Sequence, residues 1–409
     1  MNNSVFAEAD EILTEIYSEG KFSQEEMKHV TNKRVTKLVY GVLDKHYELN
    51  YILDTLAEKK VKPAVRNVLL CGAYSLIYLG TPLNVVLNET GAFLENKGKT
   101  ALKGFCYAIL SKISRKEYVF PTKSDKRYLE VKYNMPSFLV GLFRKDYPDD
   151  FERIIACREK GRTHIRVPDG TDEAEILACD PSAERTEVGF FVKNNKEISL
   201  LNFEGKITYM SLPSALIALS VAKKTPSGGR ILDCCAAPGG KSVFLAEKGF
   251  DVLSADIRPH RVELIKSYAA RMGVTLKTVV ADATVFNPER AEAFDVVLAD
   301  VPCSGMGVIG RRKDVVFNKT YEDILALTAL QYAILDNVSK YVKKGGLLVY
   351  STCTVFRMEN NDVIDKFLAC HEDFSLSEVP LGERNDGYIQ FLPDGKGTEG
   401  FFLCHLKRN

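Results

Sequence analysis

The chain lacks any long apolar run: nowhere in its 409 residues is there a stretch of the roughly 18 uninterrupted apolar positions that a membrane-spanning helix needs. Its start, Met1-Asn2-Asn3-Ser4, has neither the basic nor the apolar region of a signal peptide. A soluble, cytoplasmic protein without a membrane partner is expected. Paired CxxC motifs and Cys/His clusters are also missing. The ten cysteines are scattered apart from the neighbours Cys234 and Cys235, which indicates neither a metal site nor a disulfide framework and suits buried thiols in a reducing compartment. The six histidines show no catalytic pairing. There is no GxGxxG fingerprint, which counts against a nicotinamide enzyme. Repeats and low-complexity tracts are absent. Net charge is nearly absent too, at +1, so the total says nothing about partners. Its distribution does. Between Lys97 and Lys132 ten Lys or Arg stand against three acids, Glu117, Asp125 and Glu130, an excess that suits a phosphate backbone or a solvated helix face.

What the chain does have is material for several cores. An apolar fraction of 45% over this length implies two or three domains of about 100 to 200 residues each. From Val5 to about Ser114 apolar residues recur at helical spacing. One stripe is Val35, Leu38, Val39, Val42 and Leu43, a second Val65, Val68, Leu69, Ala73 and Ile77, and a third Leu102, Phe105, Cys106, Ile109, Leu110 and Ile113. Breaks at Pro63, Gly80-Thr81-Pro82 and Gly98 make this an all-helical bundle, with a polar boundary at Pro121 to Arg127. Beyond it, Tyr133 to Phe151 reads as helical and Thr163 to Val167 as a strand. Thr171 to Ala178 reads as a helix capped by Asp169 or Thr171, and Val188 to Val192 and Ile198 to Phe203 as further strands. Three segments are therefore expected: residues 1–125, helical; residues 126–205, a linker helix with a small α+β element; and residues 206–409.

The last segment alternates strand and helix signals from Ile231 to Tyr350, the pattern of a parallel, doubly wound sheet. After the helix Asn361 to Leu368, the runs Tyr388 to Leu392 and Phe401 to Leu406 are spaced for an antiparallel hairpin. The segment is organised around Arg230 to Ser242, where a short apolar run meets a Gly-rich turn and then a helix start. Gly239 and Gly240 let backbone N–H groups approach a ligand with no Cβ in the way. A second strand ends at Asp256, about 20 residues on, where an acid commonly accepts ribose hydroxyls. Two cysteines follow strand-like runs, in Asp300-Val301-Pro302-Cys303-Ser304-Gly305 and in Ser351-Thr352-Cys353-Thr354. Both fall at the carboxyl edge of the expected sheet, where open α/β folds bind ligands.

Cys235-Ala236-Ala237-Pro238-Gly239-Gly240-Lys241-Ser242, the Asp300 to Gly305 motif and the Thr352-Cys353 motif together resemble the RNA cytosine carbon-5 methyltransferases that use S-adenosylmethionine. Leu38 to Leu43, Leu69 to Tyr78 and Phe105 to Leu110 resemble a NusB-like RNA-binding domain. The combination resembles the bacterial small-subunit (16S) rRNA methyltransferase B, or Sun, family. That resemblance implies a Rossmann-like methyltransferase closed by the hairpin and a structured RNA substrate, most plainly 16S rRNA. A monomer is expected. It also implies covalent chemistry, because carbon 5 of cytosine becomes nucleophilic only after a thiolate has added at carbon 6. Chemistry alone leaves open which sulfur attacks. The family pattern assigns attack to Cys353, product release to Cys303 and contact with the target base to Asp300. It assigns Cys235 through Lys241 to the cofactor's amino acid part and sugar, Asp256 to its ribose, and Asp282 to the vicinity of its adenine. Asp300 is counted with the cofactor contacts as well.

Arg261 is a candidate partner of a site carboxylate, or an exposed helix charge. Arg311, Arg312 and Lys313 are candidates to grip phosphates, or a solvated loop. The segment Tyr209 to Ser214 departs from the family pattern, which has a Gln and an acid there, and Glu399 stands where Asp is usual. Two alternatives remain: the same chemistry on tRNA, and an RNA-binding assembly or antitermination factor with a silent cofactor fold.

Overall fold

All three apolar stripes of the N-terminal region lie on helices and pack into one core. Lys33–Asp44 buries Val35, Leu38, Val39, Val42 and Leu43, Pro63–Ile77 buries Val65, Val68, Leu69 and Ala73, and Lys103–Ser114 buries Cys106, Ile109, Leu110 and Ile113. Val5–Ser18, His46–Leu56 and Leu83–Asn96 complete that core with Leu13, Ile16, Leu49, Ile52, Phe93 and Leu94. Pro63 sits in the first turn of its helix, where its missing N–H costs nothing. The computed structural model describes residues 4–18, 23–57, 60–157, 162–317, 319–382 and 384–409. Among them, no helix is long and apolar enough to cross a membrane.

The chain divides into two units, one of Met1–Phe151 with Arg311–Lys319 and one of Glu152–Gly310 with Thr320–Asn409. The expected middle segment is thus shared between them. Its helices Tyr128–Tyr133 and Ser137–Asp146 go with the bundle. A side chain explains this: Asn134 donates to the Leu43 carbonyl at 2.9 Å and accepts from the Tyr47 N–H at 3.0 Å, satisfying backbone groups where two bundle helices meet.

In the second unit a four-stranded antiparallel sheet has the order β2-β3-β1-β4, where β1 is Thr163–Arg166, β2 Glu184–Thr186, β3 Gly189–Val192 and β4 Thr208–Tyr209. Ile165, Phe190 and Val192 from this sheet pack with Ile176, Ile198 and Leu201. Two readings of the sequence are corrected here. Ile198 to Phe203 is helical, within Lys196–Phe203. The Asn195 side chain caps this helix by accepting from the Ile198 N–H at 2.8 Å, and Ile198 and Leu201 form its buried face. The preceding helix runs Glu173–Cys179 and is capped by Asp172, not by Asp169 or Thr171.

The larger sheet has the order β10-β12-β9-β8-β5-β6-β7, with β11 paired to β12. Its strands are β5 (Arg230–Asp233), β6 (Asp251–Asp256), β7 (Lys277–Val280), β8 (Phe294–Asp300), β9 (Val342–Thr352), β10 (Phe374–Leu376), β11 (Tyr388–Phe391) and β12 (Phe401–Arg408). The strands from β7 to β9 pair in parallel, and β12 runs antiparallel to β9, β10 and β11. The fold is the expected one: a NusB-like helical bundle, a small α+β element and a Rossmann-like sheet closed by a C-terminal antiparallel hairpin. One core layer includes Leu232, Val297, Leu348 and Phe402 and the other Ile231, Val296, Val349 and Leu403, so alternate residues of each central strand feed opposite faces.

Candidate active site

Four neighbouring strands, β6, β5, β8 and β9, end along one edge of the sheet, and each delivers a polar residue there. In spatial order these are Asp256, Asp233, Asp300 and the Thr352-Cys353 pair. The turn after β5 is tight. Gly239 has φ +112°, and a Cβ on it would lie 3.2 Å from the Cα of Ile265, so glycine is required by both conformation and space. From there the helix Gly240–Glu247 starts, and Ala236 N–H donates to the Ala255 carbonyl at 2.9 Å, fastening the turn to β6.

The β5–β6 half carries the residues expected to hold the cofactor. Asp256 is buried, forms an ion pair with Arg261 at 3.3 Å and accepts from the Ala237 N–H at 3.3 Å and the Arg258 N–H at 3.2 Å. Arg261 also donates to the Ala237 carbonyl at 3.2 Å, so it is a partner of this carboxylate rather than a bare helix charge. Cys235 and Ala237 are half-buried and Pro238 is exposed. Asp282, beyond β7, is exposed and accepts from the Thr284 N–H at 2.8 Å and hydroxyl at 2.7 Å. Asp233 was not singled out from the sequence. One of its oxygens accepts from Ser242 at 2.7 Å, the other is buried without a partner among the described residues, and burial pushes the carboxyl up to about 7. Its only signal in the sequence is an acid at a strand end directly before a Gly-rich turn.

The β8–β9 half holds the sulfurs. Cys303 and Cys353 lie with Sγ atoms 3.0 Å apart, and the Cys353 N–H donates to Cys303 Sγ at 3.2 Å. Gly307 N–H donates to the Cys353 carbonyl at 3.0 Å, so the loop after β8 and the end of β9 are bonded to each other. The Cys303 thiol is pushed well above the usual range by its hydrogen bond with Cys353, by burial and by the nearby Glu359 charge. Asp300 accepts from Lys241 Nζ at 2.6 Å and from the Ser351 hydroxyl at 2.7 Å. Lys241 therefore reaches from the first turn of the helix Gly240–Glu247 to the end of β8. Behind Cys303, the buried residues Ser304, Gln331, Thr354 and Glu359 form a polar layer. The sequence did not point to it, because these residues come from four separate segments.

Arg311 and Arg312 are exposed and belong to the helical unit with the rest of Arg311–Lys319, while the side chain of Lys313 lies outside what the structure describes. Among the described residues, no group of three or more His, Cys, Asp or Glu could hold a metal ion.

S-adenosylmethionine presents ribose hydroxyls and an ammonium group. The edge fits it through the unpartnered oxygen of Asp233 and the buried carboxylate of Asp256. A family model described as 16S rRNA methyltransferase RsmB/F matches residues 221–407, and one described as the NusB family matches residues 1–115. The probable ribosomal RNA small subunit methyltransferase B of Bacillus subtilis (strain 168) is 34% identical over 414 residues, covering 91% of this chain and 90% of that protein. The ribosomal RNA small subunit methyltransferase B of Pasteurella multocida (strain Pm70) is 28% identical, covering 99% and 96%. Among solved structures, the crystal structure of PH0851 superposes with a TM-score of 0.81 at 24% identity, covering 99% of this chain and 98% of that one.

Proposed function

The chain belongs to the family of bacterial ribosomal RNA small subunit methyltransferases B, which are S-adenosylmethionine-dependent, and from that membership we propose that it methylates carbon 5 of a cytosine in 16S rRNA through a covalent cysteine adduct. The observation that carries the covalent reading is the sulfur pair, 3.0 Å apart at adjacent strand ends beside an ion-paired carboxylate.

Cys353 adds through its sulfur to carbon 6, which breaks the ring's aromaticity and makes carbon 5 nucleophilic. S-adenosylmethionine supplies the methyl group from its sulfonium. Asp300, steadied by Lys241 and Ser351, meets the base's ring nitrogen and favours addition at carbon 6. Cys303 gives its own proton to solvent and then takes the carbon-5 proton, and the Cys353 sulfur leaves as a thiolate while the ring recovers its double bond. A shared hydrogen bond suits this order of events. Cys303 holds its proton at the start, which leaves Cys353 as the attacking sulfur. Once Cys353 is bonded to carbon its charge is gone, and one cause of the high Cys303 proton affinity goes with it. Asp256 is assigned the ribose hydroxyls, and Cys235 through Lys241 the rest of the cofactor's amino acid and sugar, with Asp282 toward its adenine.

Methyl transfer from labelled S-adenosylmethionine to 16S rRNA tests the reading. Cys353→Ala is expected to remove turnover, and Cys303→Ala to accumulate a covalent RNA adduct that persists on a denaturing gel. The reverse pattern would exchange the two roles. Bisulfite sequencing of RNA from a deletion strain identifies the target: loss of a tRNA signal with the rRNA pattern intact would refute the substrate.

A further inference from the structure

The polar layer behind Cys303 converges on Glu359, at the end of the single 3-10 turn Arg357–Glu359 and fully buried at 0% exposure. One of its oxygens accepts from the Ser304 N–H at 2.7 Å and from the Gln331 amide at 3.0 Å, and the other from the Ser304 hydroxyl at 2.5 Å. All three groups are neutral: the two N–H groups can only donate, which holds one oxygen of Glu359 as an acceptor, and the third is the Ser304 hydroxyl. The same Gln331 amide donates to the Pro302 carbonyl at 2.9 Å. The residues on both sides of Cys303 are therefore bonded, directly or through one amide, to a single side chain six positions beyond Cys353. Tyr350 completes the arrangement by donating its hydroxyl to the Glu359 carbonyl at 2.6 Å, which ties the turn back to β9.

A buried negative charge with neutral partners is costly, because it gives up its hydration without gaining a counter-charge. Its presence one residue's length from a sulfur pair points to a task. We propose that Glu359 is a positioning residue for the cysteine pair: it clamps the Pro302-Cys303-Ser304 loop against the end of β9 and sets its carboxylate behind Cys303, which leaves Cys353 as the attacking sulfur. This deepens the proposed function and rests on it for the meaning of the two sulfurs. The groups facing Cys303 are the Cys353 thiol, the Glu359 carboxylate and the Tyr350 hydroxyl, with Asp300 beyond them neutralised by Lys241. Of these, Glu359 is the carboxylate with no cationic partner among the described residues. Its effect on Cys303 has the sign the proposal needs, since a nearby negative charge opposes loss of the thiol proton.

Glu359→Gln separates charge from clamp. The amide oxygen can keep the Ser304 and Gln331 N–H bonds, and the amide nitrogen can donate to the Ser304 hydroxyl, which in turn reaches Thr354 at 3.0 Å. Labelling of the full-length protein by iodoacetamide across pH, read at each cysteine by mass spectrometry, reports which thiol ionises. In the unsubstituted protein Cys303 should resist labelling near neutral pH. In Glu359→Gln the Cys303 profile should move to lower pH, with its labelling near neutrality rising roughly tenfold. Unchanged profiles of both cysteines in a folded Glu359→Gln protein overturn the charge role. Ser304→Ala keeps the charge and removes a clamp. It should leave the labelling profiles in place, lower single-turnover methyl transfer several-fold and leave the RNA KM unchanged. Wild-type methyl transfer in Ser304→Ala overturns the clamp, including when Glu359→Gln does not fold. The labelling needs neither RNA nor methyl donor. A protein that labels as expected yet transfers no methyl group refutes the proposed function and the clamp with it, and leaves the charge role standing.

Discussion

At the end of β5, Asp233 is held in a state that lowers the stability of the free protein. Its carboxyl is raised from 3.8 to about 7, chiefly by burial, with Ser242 and Lys241 pulling the other way. The native state therefore keeps a proton that the unfolded chain releases between those values. The contribution to stability is full below about pH 4 and is lost as pH rises through about 7. Asp233→Asn keeps an oxygen for the Ser242 bond and removes the titration. Denaturant midpoints measured from pH 4 to pH 8 should fall with rising pH in the wild type and lie on a flatter curve in Asp233→Asn, which is the more stable protein near neutrality. Cys303, Cys353, Asp300 and Asp256 were legible because their motifs are local runs at strand ends. Asp233 and Glu359 were not. A buried carboxylate is recognised by its burial and its donors, and Ser304, Gln331 and Glu359 are spread over 55 positions of chain.

Where the loop after β8 meets the tail, two backbones touch. Gly400 N–H donates to the Gly307 carbonyl at 2.8 Å, and a Cβ on Gly307 would stand 1.9 Å from the Gly400 oxygen. Gly307 in turn bonds the Cys353 carbonyl, so this contact lies directly behind the sulfur pair. Gly307→Ala must part the two segments, and it should destabilise the protein by about 1–3 kcal/mol, read as a lowered thermal midpoint, with weakened methyl transfer. Elements whose period was clean, such as the three bundle stripes and the alternating strands β5 to β9, were legible. Ile198 to Phe203 was not, because a short apolar run does not distinguish a strand from a helix face. The Asn195 cap and the packing of Ile198 and Leu201 decide it.

Over the whole molecule, the least local feature is the excursion Arg311–Lys319, which leaves the methyltransferase segment and packs with the helical unit. Asp314 accepts from the Ser23 N–H and hydroxyl, both at 2.9 Å, across 291 positions of sequence. Phe317 sits with its ring 4.7 Å from that of His46 and 5.9 Å from that of Tyr17. Asp314→Ala leaves the Ser23 groups unpaired in a buried place and should cost about 1–3 kcal/mol, seen as faster amide exchange in Ser23–Glu26.

The amino-acid order alone determined the succession of a helical bundle, a small α+β element and a doubly wound sheet. It also determined which residues stand at the strand ends, since both follow from hydrophobic period and turn chemistry acting over a few residues. Only the tertiary structure decided that Lys241 turns toward Asp300, that two thiols fifty positions apart share one hydrogen bond, and that Glu359 lies buried behind them. Those outcomes depend on strand order and on side chains meeting across elements. A periodicity read along the chain carries no information about either.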